Sequence, residues 1–176
     1  MPQTSQHTRI HQLFDARAAQ APDHPFLCLT DGVITLGQLA SQVDALETEL
    51  RETGVRLGDR VLVAAENCPE HVALVLACSR VGAWACGVNA RMTASELAGF
   101  ATKADARVLY FTVGVSQAAH QHAAQHNTRV SVLPALQHTL ANPQAIMQSD
   151  DLAERVAAII FTSCLLYTSP SPRDCS

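Results

Sequence analysis

The strongest constraint in this 176-residue sequence is an apolar helix-like segment bracketed by two apolar strand-like segments. The first strand-like segment, Arg60–Ala65 (RVLVAA), is almost entirely apolar, which is typical of a strand covered on both faces. Pro69 can open a helix that extends to Val81, and Gly82 can end it before the next apolar run, residues 83–88. The order strand, helix, strand predicts two parallel strands joined by a crossover helix.

The same alternation continues on both sides of this unit. An apolar stripe at steps of three and four predicts a helix that packs on a sheet, and it comprises Leu36, Leu39, Val43, Leu46 and Leu50. A further helix is predicted after Thr8 and before Pro22, with one apolar face formed by Ile10, Leu13, Phe14 and Ala18. Others are predicted behind a Thr93/Glu96 capping box, with an apolar face of Leu97, Phe100 and Ala101, and over 116–126. A hairpin (26–30 with 33–35) and strands at 108–111, 129–133 and 158–162 are also predicted, and 134–150 is interpreted as a loop with a short helix. We therefore predict an α/β fold with a doubly wound, mostly parallel sheet and helices on both faces.

The composition excludes several classes of protein. Twelve Lys and Arg against sixteen Asp and Glu give a net charge of −4, which argues against nucleic-acid binding. No apolar run approaches the roughly 20 residues of a membrane span, and the polar start lacks a secretory h-region. The six cysteines form no C-x-x-C pair and are interpreted as small buried hydrophobes in a reducing compartment. A cytoplasmic location is expected.

Histidines at two places in the sequence are candidates for chemistry. His122 and His126 are four residues apart and could share a metal, but no nearby acidic residue or cysteine completes a site. We interpret the run HQHAAQH, residues 120–126, as a solvated polar face and predict no metal site. His71, near the start of a helix, is either a general base or an N-terminal turn residue. No catalytic residue is assigned.

Two stretches in order, ITLGQLASQVDALETEL (34–50) and GVRLGDRVLVAAENCPEHVALVLACSRVGAWACGVNARMTASEL (54–97), resemble a known family. They are similar to the amino-terminal part of adenylate-forming enzymes, the AMP-dependent synthetase and ligase or acyl-CoA synthetase superfamily. The residues that match the family pattern are Gly58, Asp59, Arg60, Val61, Asn67, Gly82, Ala83, Asn89, Arg91 and residues 93–97. The resemblance implies that residues 1–163 form an incomplete amino-terminal subdomain of the adenylate-forming fold.

The segment IIFTS, residues 159–163, resembles the strand that leads into the family's phosphate-binding loop. The resemblance implies that Thr162 and Ser163 bind nucleotide. In the family, a loop with glycines, hydroxyl residues and a lysine follows. The glycines let backbone amides approach the phosphates, the hydroxyls donate hydrogen bonds to them, and the lysine supplies positive charge. Residues 164–176 contain neither glycine nor lysine, and we interpret them as a non-native tail, with a divergent native terminus as the alternative. The only lysine, Lys103, is interpreted as a solvated helix residue.

The resemblance implies a ligase that activates a carboxylic acid, as in fatty acid metabolism, with ATP and Mg²⁺. The acyl-AMP so formed would then pass its acyl group to coenzyme A. Because the loop pattern stops after Ser163, we expect this chain to be inactive and to hold no cofactor itself. The alternative is a stand-alone, non-catalytic α/β module that binds a small ligand or a partner.

Overall fold

The computed structural model describes residues 9–30, 32–148 and 156–161, which form five helices and eight strands. The helices are α1 (Ile10–Gln20), α2 (Leu36–Glu52), α3 (Pro69–Val81), α4 (Ala94–Ala104) and α5 (Gln117–Ala124). The strands are β1 (Pro25–Leu29), β2 (Gly32–Thr35), β3 (Arg60–Ala65), β4 (Trp84–Asn89), β5 (Ala106–Phe111), β6 (Arg129–Val130), β7 (Gln137–Leu140) and β8 (Ala158–Ile160).

Six strands form the main sheet in the order β6-β7-β5-β3-β4-β8. The four strands β5, β3, β4 and β8 are parallel, and β7 and β6 add an antiparallel edge beside β5. Strands β1 and β2 form a separate antiparallel hairpin. The predicted doubly wound, mostly parallel α/β sheet is therefore confirmed.

Each face of the sheet has its own apolar core, because successive side chains of a strand point to opposite faces. Val61 and Val63 of β3 lie in the first core, which contains residues of α1, α2 and α3. Leu62 and Ala64 of the same strand lie in the core beneath α4 and α5. The predicted stripe of α2 is almost completely buried in the first core. Within the described ranges, no helix combines the length and the apolar character that crossing a bilayer requires.

Local sequence signals explain where several helices begin and end. The Thr93 hydroxyl accepts a hydrogen bond from the Glu96 amide, and the Glu96 carboxylate accepts one from the Thr93 amide at 2.8 Å. This is the predicted capping box at the start of α4. Helix α3 ends at Gly82, whose φ of 85° lies in the left-handed region that glycine adopts without strain.

The structure differs from the sequence predictions at three places. Strand β7 lies within the stretch predicted as a loop with a short helix. Its sequence QHTL has three polar residues and one leucine, so it carries no apolar alternation, and it is a strand because it pairs with β5. Strand β6 has two residues where five were predicted. In α1, Ile10 and Leu13 were predicted on the apolar face but are exposed, whereas Phe14 and Ala18 are buried.

Candidate functional site

The carboxyl ends of β3 and β4 open onto a groove of about 580 Å³. In parallel α/β sheets this edge is where ligands bind, because the loops that follow adjacent strands diverge there. The groove residues come from the carboxyl ends of β3 and β4, the connections that follow them and the first turn of α3. They are Ala65, Glu66, Asn67, His71, Gly87, Val88, Asn89 and Arg91.

Glu66, which follows β3, is hydrogen-bonded to residues of the connections that follow β4 and β5. Its carboxylate accepts hydrogen bonds from Arg91 Nε at 3.2 Å and from the hydroxyl of Ser116 at 3.1 Å. Its backbone amide donates to the hydroxyl of Thr112, which follows β5. The hydrogen bond from Arg91 is the main cause that lowers the pKa of Glu66, and the Ser116 hydroxyl adds to it. Glu66 is therefore ionised at neutral pH and positions an Arg91 side chain that is 74% exposed.

His71 lies over β4 at the only position of that strand without a side chain. A Cβ atom built on Gly87 would lie 3.7 Å from Nε2 of His71. Burial lowers the pKa of His71 below its ordinary 6.5, so the imidazole is neutral at pH 7. The sequence raised His71 as a general base or a turn residue. The structure places it in the third position of α3 and in the wall of the groove.

The prediction that the histidine run forms a solvated polar face is wrong for His122. His122 is buried, and its Nε2 lies 2.9 Å from the carbonyl oxygen of Met92. It is buried because Ala119 and Ala123 share its face of α5 and are small enough for the helix to lie directly on the sheet. In the part of the chain that the structure describes, no three His, Cys, Asp or Glu side chains come together as a metal site.

The two residues predicted to bind nucleotide, Thr162 and Ser163, lie outside the described residues. The described chain ends just before them at Phe161, whose ring packs against Phe100 of α4 with 4.8 Å between ring centroids. The sequence did not single out Glu66 or Ser116. Their positions after a buried strand and before a helix would have drawn attention to them, since those are the positions where α/β folds place ligand-binding groups.

A doubly wound parallel sheet with a polar groove at the carboxyl ends of its central strands defines the class of α/β ligand-binding proteins. Comparison with protein families narrows this class. Residues 14–164 match the model of the AMP-binding enzyme family. The chain belongs to this family, whose members form adenylates, and it corresponds to an amino-terminal part of such a protein.

Several curated relatives are named as ligases of different acids. The chain is 31% identical over 116 residues to a 2-hydroxy-7-methoxy-5-methyl-1-naphthoate–CoA ligase of Streptomyces carzinostaticus, covering 65% of this chain and 20% of the relative. It is 28% identical over 172 residues to FadD10 of Mycobacterium tuberculosis, a medium/long-chain-fatty-acid–[acyl-carrier-protein] ligase, covering 93% of this chain and 32% of the relative. The chain thus spans between a fifth and a third of the length of these relatives.

Solved structures agree with the fold. The amino-terminal subdomain of Klebsiella oxytoca NpsA, determined with 3-hydroxyanthranilyl-AMSN, is 29% identical with a TM-score of 0.54, covering 57% of this chain and 26% of that one. A Mycobacterium tuberculosis fatty acyl CoA synthetase is 22% identical with a TM-score of 0.55, covering 58% of this chain and 21% of that one. The latter similarity concerns the fold alone.

Proposed function

We propose that the protein to which this chain belongs is an acid–thiol ligase. In the first half-reaction, a carboxylate oxygen attacks the α-phosphorus of ATP, pyrophosphate leaves, and an acyl-AMP forms. In the second half-reaction, the thiol sulfur of coenzyme A attacks the acyl carbon, loses its proton, and displaces AMP. The observation that carries the proposal is the match of residues 14–164 to the AMP-binding enzyme family, together with relatives named as CoA ligases.

The described residues contribute part of a binding wall in this proposal. Glu66 and Arg91 form a hydrogen-bonded ion pair at the carboxyl edge, and His71 presents a neutral imidazole beside them. Such an edge can orient a polar substrate through directional hydrogen bonds, and positioning of this kind supplies much of the rate in adenylate chemistry. Thr162 and Ser163 are proposed to donate hydroxyl hydrogen bonds to the nucleotide. No group of described residues forms a magnesium site, so none of them is proposed to hold that ion.

The 176-residue chain by itself is proposed to be inactive. The thirteen residues after Ser163 supply no glycine for close backbone approach to a phosphate and no lysine to neutralise it. Purified chain is expected to give no carboxylate-dependent exchange of radiolabelled pyrophosphate into ATP. Exchange above the level of a no-enzyme blank would contradict this part of the proposal.

The ligase itself is tested by joining residues 1–163 to the reading frame that follows the Ser163 codon in the source DNA. We expect pyrophosphate exchange that depends on one class within a panel of carboxylic acids, and a thioester product when coenzyme A is added. Product with a phosphopantetheinylated carrier protein but not with coenzyme A would identify a carrier-protein ligase instead. A stop codon after the printed sequence, with no exchange, would favour the non-catalytic binding module.

A matched pair of variants tests the two proposed nucleotide residues in that longer protein. Thr162→Ala and Ser163→Ala are each expected to lower the exchange rate by about tenfold or more, as loss of a hydrogen bond to a charged group implies. Ser41→Ala serves as the control, because its hydroxyl only donates to a carbonyl oxygen of its own helix α2. Equal rates in all three variants would remove Thr162 and Ser163 from the site.

A further inference from the structure

A cluster of four charged side chains lies at the amino edge of the sheet, opposite the groove. This amino-edge cluster consists of Asp59, Arg60, Asp105 and Arg107, at the starts of β3 and β5. Asp59 is completely buried, and Arg60 and Arg107 are 5% and 7% exposed. Arg107 Nε donates to Asp59 Oδ2 at 2.6 Å, and Arg60 Nη2 donates to Asp105 Oδ2 at 2.7 Å. The proposed reaction at the carboxyl edge makes no use of these groups.

The chain crosses the sheet at this amino edge. Strand β7 lies beside β5 and β8 lies beside β4. After β7, residues 141–148 run along the starts of β5 and β3, where their backbone is hydrogen-bonded to Arg107 and Gly58. This stretch, residues 141–148, is called the strap and contains neither helix nor strand. Because the strap contains neither helix nor strand, its backbone groups are not paired in a regular ladder. A strap of irregular backbone needs other partners.

The amino-edge cluster supplies those partners. Arg107 donates to the carbonyl oxygens of Pro143 and Ala145, each at 3.0 Å. Arg60 Nη1 donates to the carbonyl oxygen of Ile146 at 2.6 Å. Asp105 Oδ2 accepts from the amide of Ile146 at 2.9 Å, and this hydrogen bond is the main cause that lowers the pKa of Asp105.

The backbone beside the cluster continues the same attachment. The strap amides of Ala141 and Asn142 donate to the carbonyl oxygen of Arg107. The amide of Gln148 donates to the carbonyl oxygen of Gly58 at 3.3 Å. The strap is therefore bound to the central strands from its first residue to its last.

A buried ionic cluster is costly to desolvate, and apolar side chains of similar volume often stabilise a fold equally well. Apolar side chains could not donate to the strap carbonyls, however, and would remove a buried hydrogen bond at Ala145 and partly buried ones at Pro143 and Ile146. Arginine suits this position because its planar guanidinium donates in several fixed directions at once. The cost of burying these charges is thus offset by a specific attachment of the strap.

We propose that Arg60, Asp105 and Arg107 are positioning residues that bind the strap and thereby hold the returning chain at the amino edge, where β8 begins. The consequence for catalysis rests on the proposed function, because β8 leads directly to Thr162 and Ser163. In this arrangement the amino-edge cluster helps to fix the position of Thr162 and Ser163 from the opposite end of the sheet, because β8 connects the two ends.

Amide hydrogen exchange of the full 176-residue chain, followed by mass spectrometry, tests the attachment. Arg107→Met is expected to raise exchange about tenfold or more in peptides covering the strap and β8, with less than about a twofold change in β3. Asp105→Asn keeps a residue that tolerates the left-handed φ of 47° and keeps one acceptor oxygen. It should therefore give a smaller increase, about threefold, in the same peptides.

The matched control is Arg80→Met, which removes a partly buried arginine that binds Asp15 and Asp44 on α1 and α2. It should raise exchange in α1 and leave β8 unchanged. An unchanged β8 in both cluster variants, or an equal rise in every strand, would overturn the proposal. If Arg107→Met does not fold, Asp105→Asn decides alone.

Repeating the exchange measurement with a non-hydrolysable ATP analogue separates the two proposals. The analogue is expected to protect the peptide that contains residues 156–163 in the longer ligase. Failure of that protection would count against the proposed function, whereas the exchange pattern of the variants without nucleotide would still stand as the result for the amino-edge cluster.

Discussion

The buried carboxylate of Glu49 accepts three hydrogen bonds in the first core, so its removal should lower the stability of the fold. Glu49 lies on α2 and is 7% exposed. Its Oε1 accepts from the hydroxyl of Tyr110 at 2.8 Å and from that of Ser131 at 2.7 Å, and its Oε2 accepts from the amide of Val132 at 2.7 Å. It thus ties α2 to β5 and to the chain that follows β6.

Glu49→Ala leaves these three donors without their acceptor. A hydrogen bond to a charged group contributes about 1.5–3 kcal/mol, so three of them set a ceiling of about 5–9 kcal/mol. The Val132 amide is only partly buried and can be hydrated, which reduces the expected loss to about 3–5 kcal/mol, as for other broken buried ionic groups. Glu49→Gln keeps one acceptor oxygen but turns an amide donor toward Val132, and it should cost about 1–3 kcal/mol.

Urea unfolding of the full chain, followed by the fluorescence of its single tryptophan, measures these losses. Glu52→Ala is the matched control, since this residue lies one turn further along α2 and is exposed. It should change the free energy of unfolding by less than about 0.5 kcal/mol. Equal losses for the Glu49 and Glu52 variants would refute the reasoning, and so would a Glu49→Gln variant as stable as the parent.

Three further predictions concern stability. Gly58→Ala should lower the free energy of unfolding in urea more than Gly54→Ala does. Both glycines have a positive φ, where a side chain costs about 1–2 kcal/mol. Of the two, only Gly58 would place its new Cβ within 4 Å of another atom, the Gln148 carbonyl oxygen at 2.0 Å. Equal costs would contradict the steric argument. Burial lowers the pKa of His138, so the folded chain binds a proton less readily than the unfolded chain and loses stability as pH falls below 6.5. His138→Gln should therefore flatten the fall in melting temperature between about pH 7 and pH 5, and an unchanged slope would count against it. Thr93→Ala should lower the free energy of unfolding by about 1 kcal/mol through loss of the N-cap of α4, and an unaltered urea midpoint would rule out that contribution.

The sequence predicted some residues of the candidate site and missed others. Asn67, Asn89 and Arg91 were singled out by the family pattern, and the structure places all three at the carboxyl-edge groove. Glu66 and Ser116 were not, because they are fifty positions apart and only the parallel pairing of β3 with β5 brings their connections together. Conversely, the sequence predicted one helix face for His122 and His126, but α5 ends at Ala124. His122 is therefore buried where α5 packs on the sheet, whereas His126 lies beyond the helix and is exposed.

The sequence alone determined the elements whose signal is local. Apolar runs, the stripe of α2, the capping box at Thr93 and the glycine after α3 each act within a few residues, and the predicted parallel α/β sheet follows from their order. Only the tertiary structure decided the features that depend on distant partners. The mostly polar strand β7 exists because β5 supplies its hydrogen bonds. The strap is held because buried arginines donate to carbonyl groups 36 and 86 positions away. Those partners are set by strand order, which no local pattern of residues encodes.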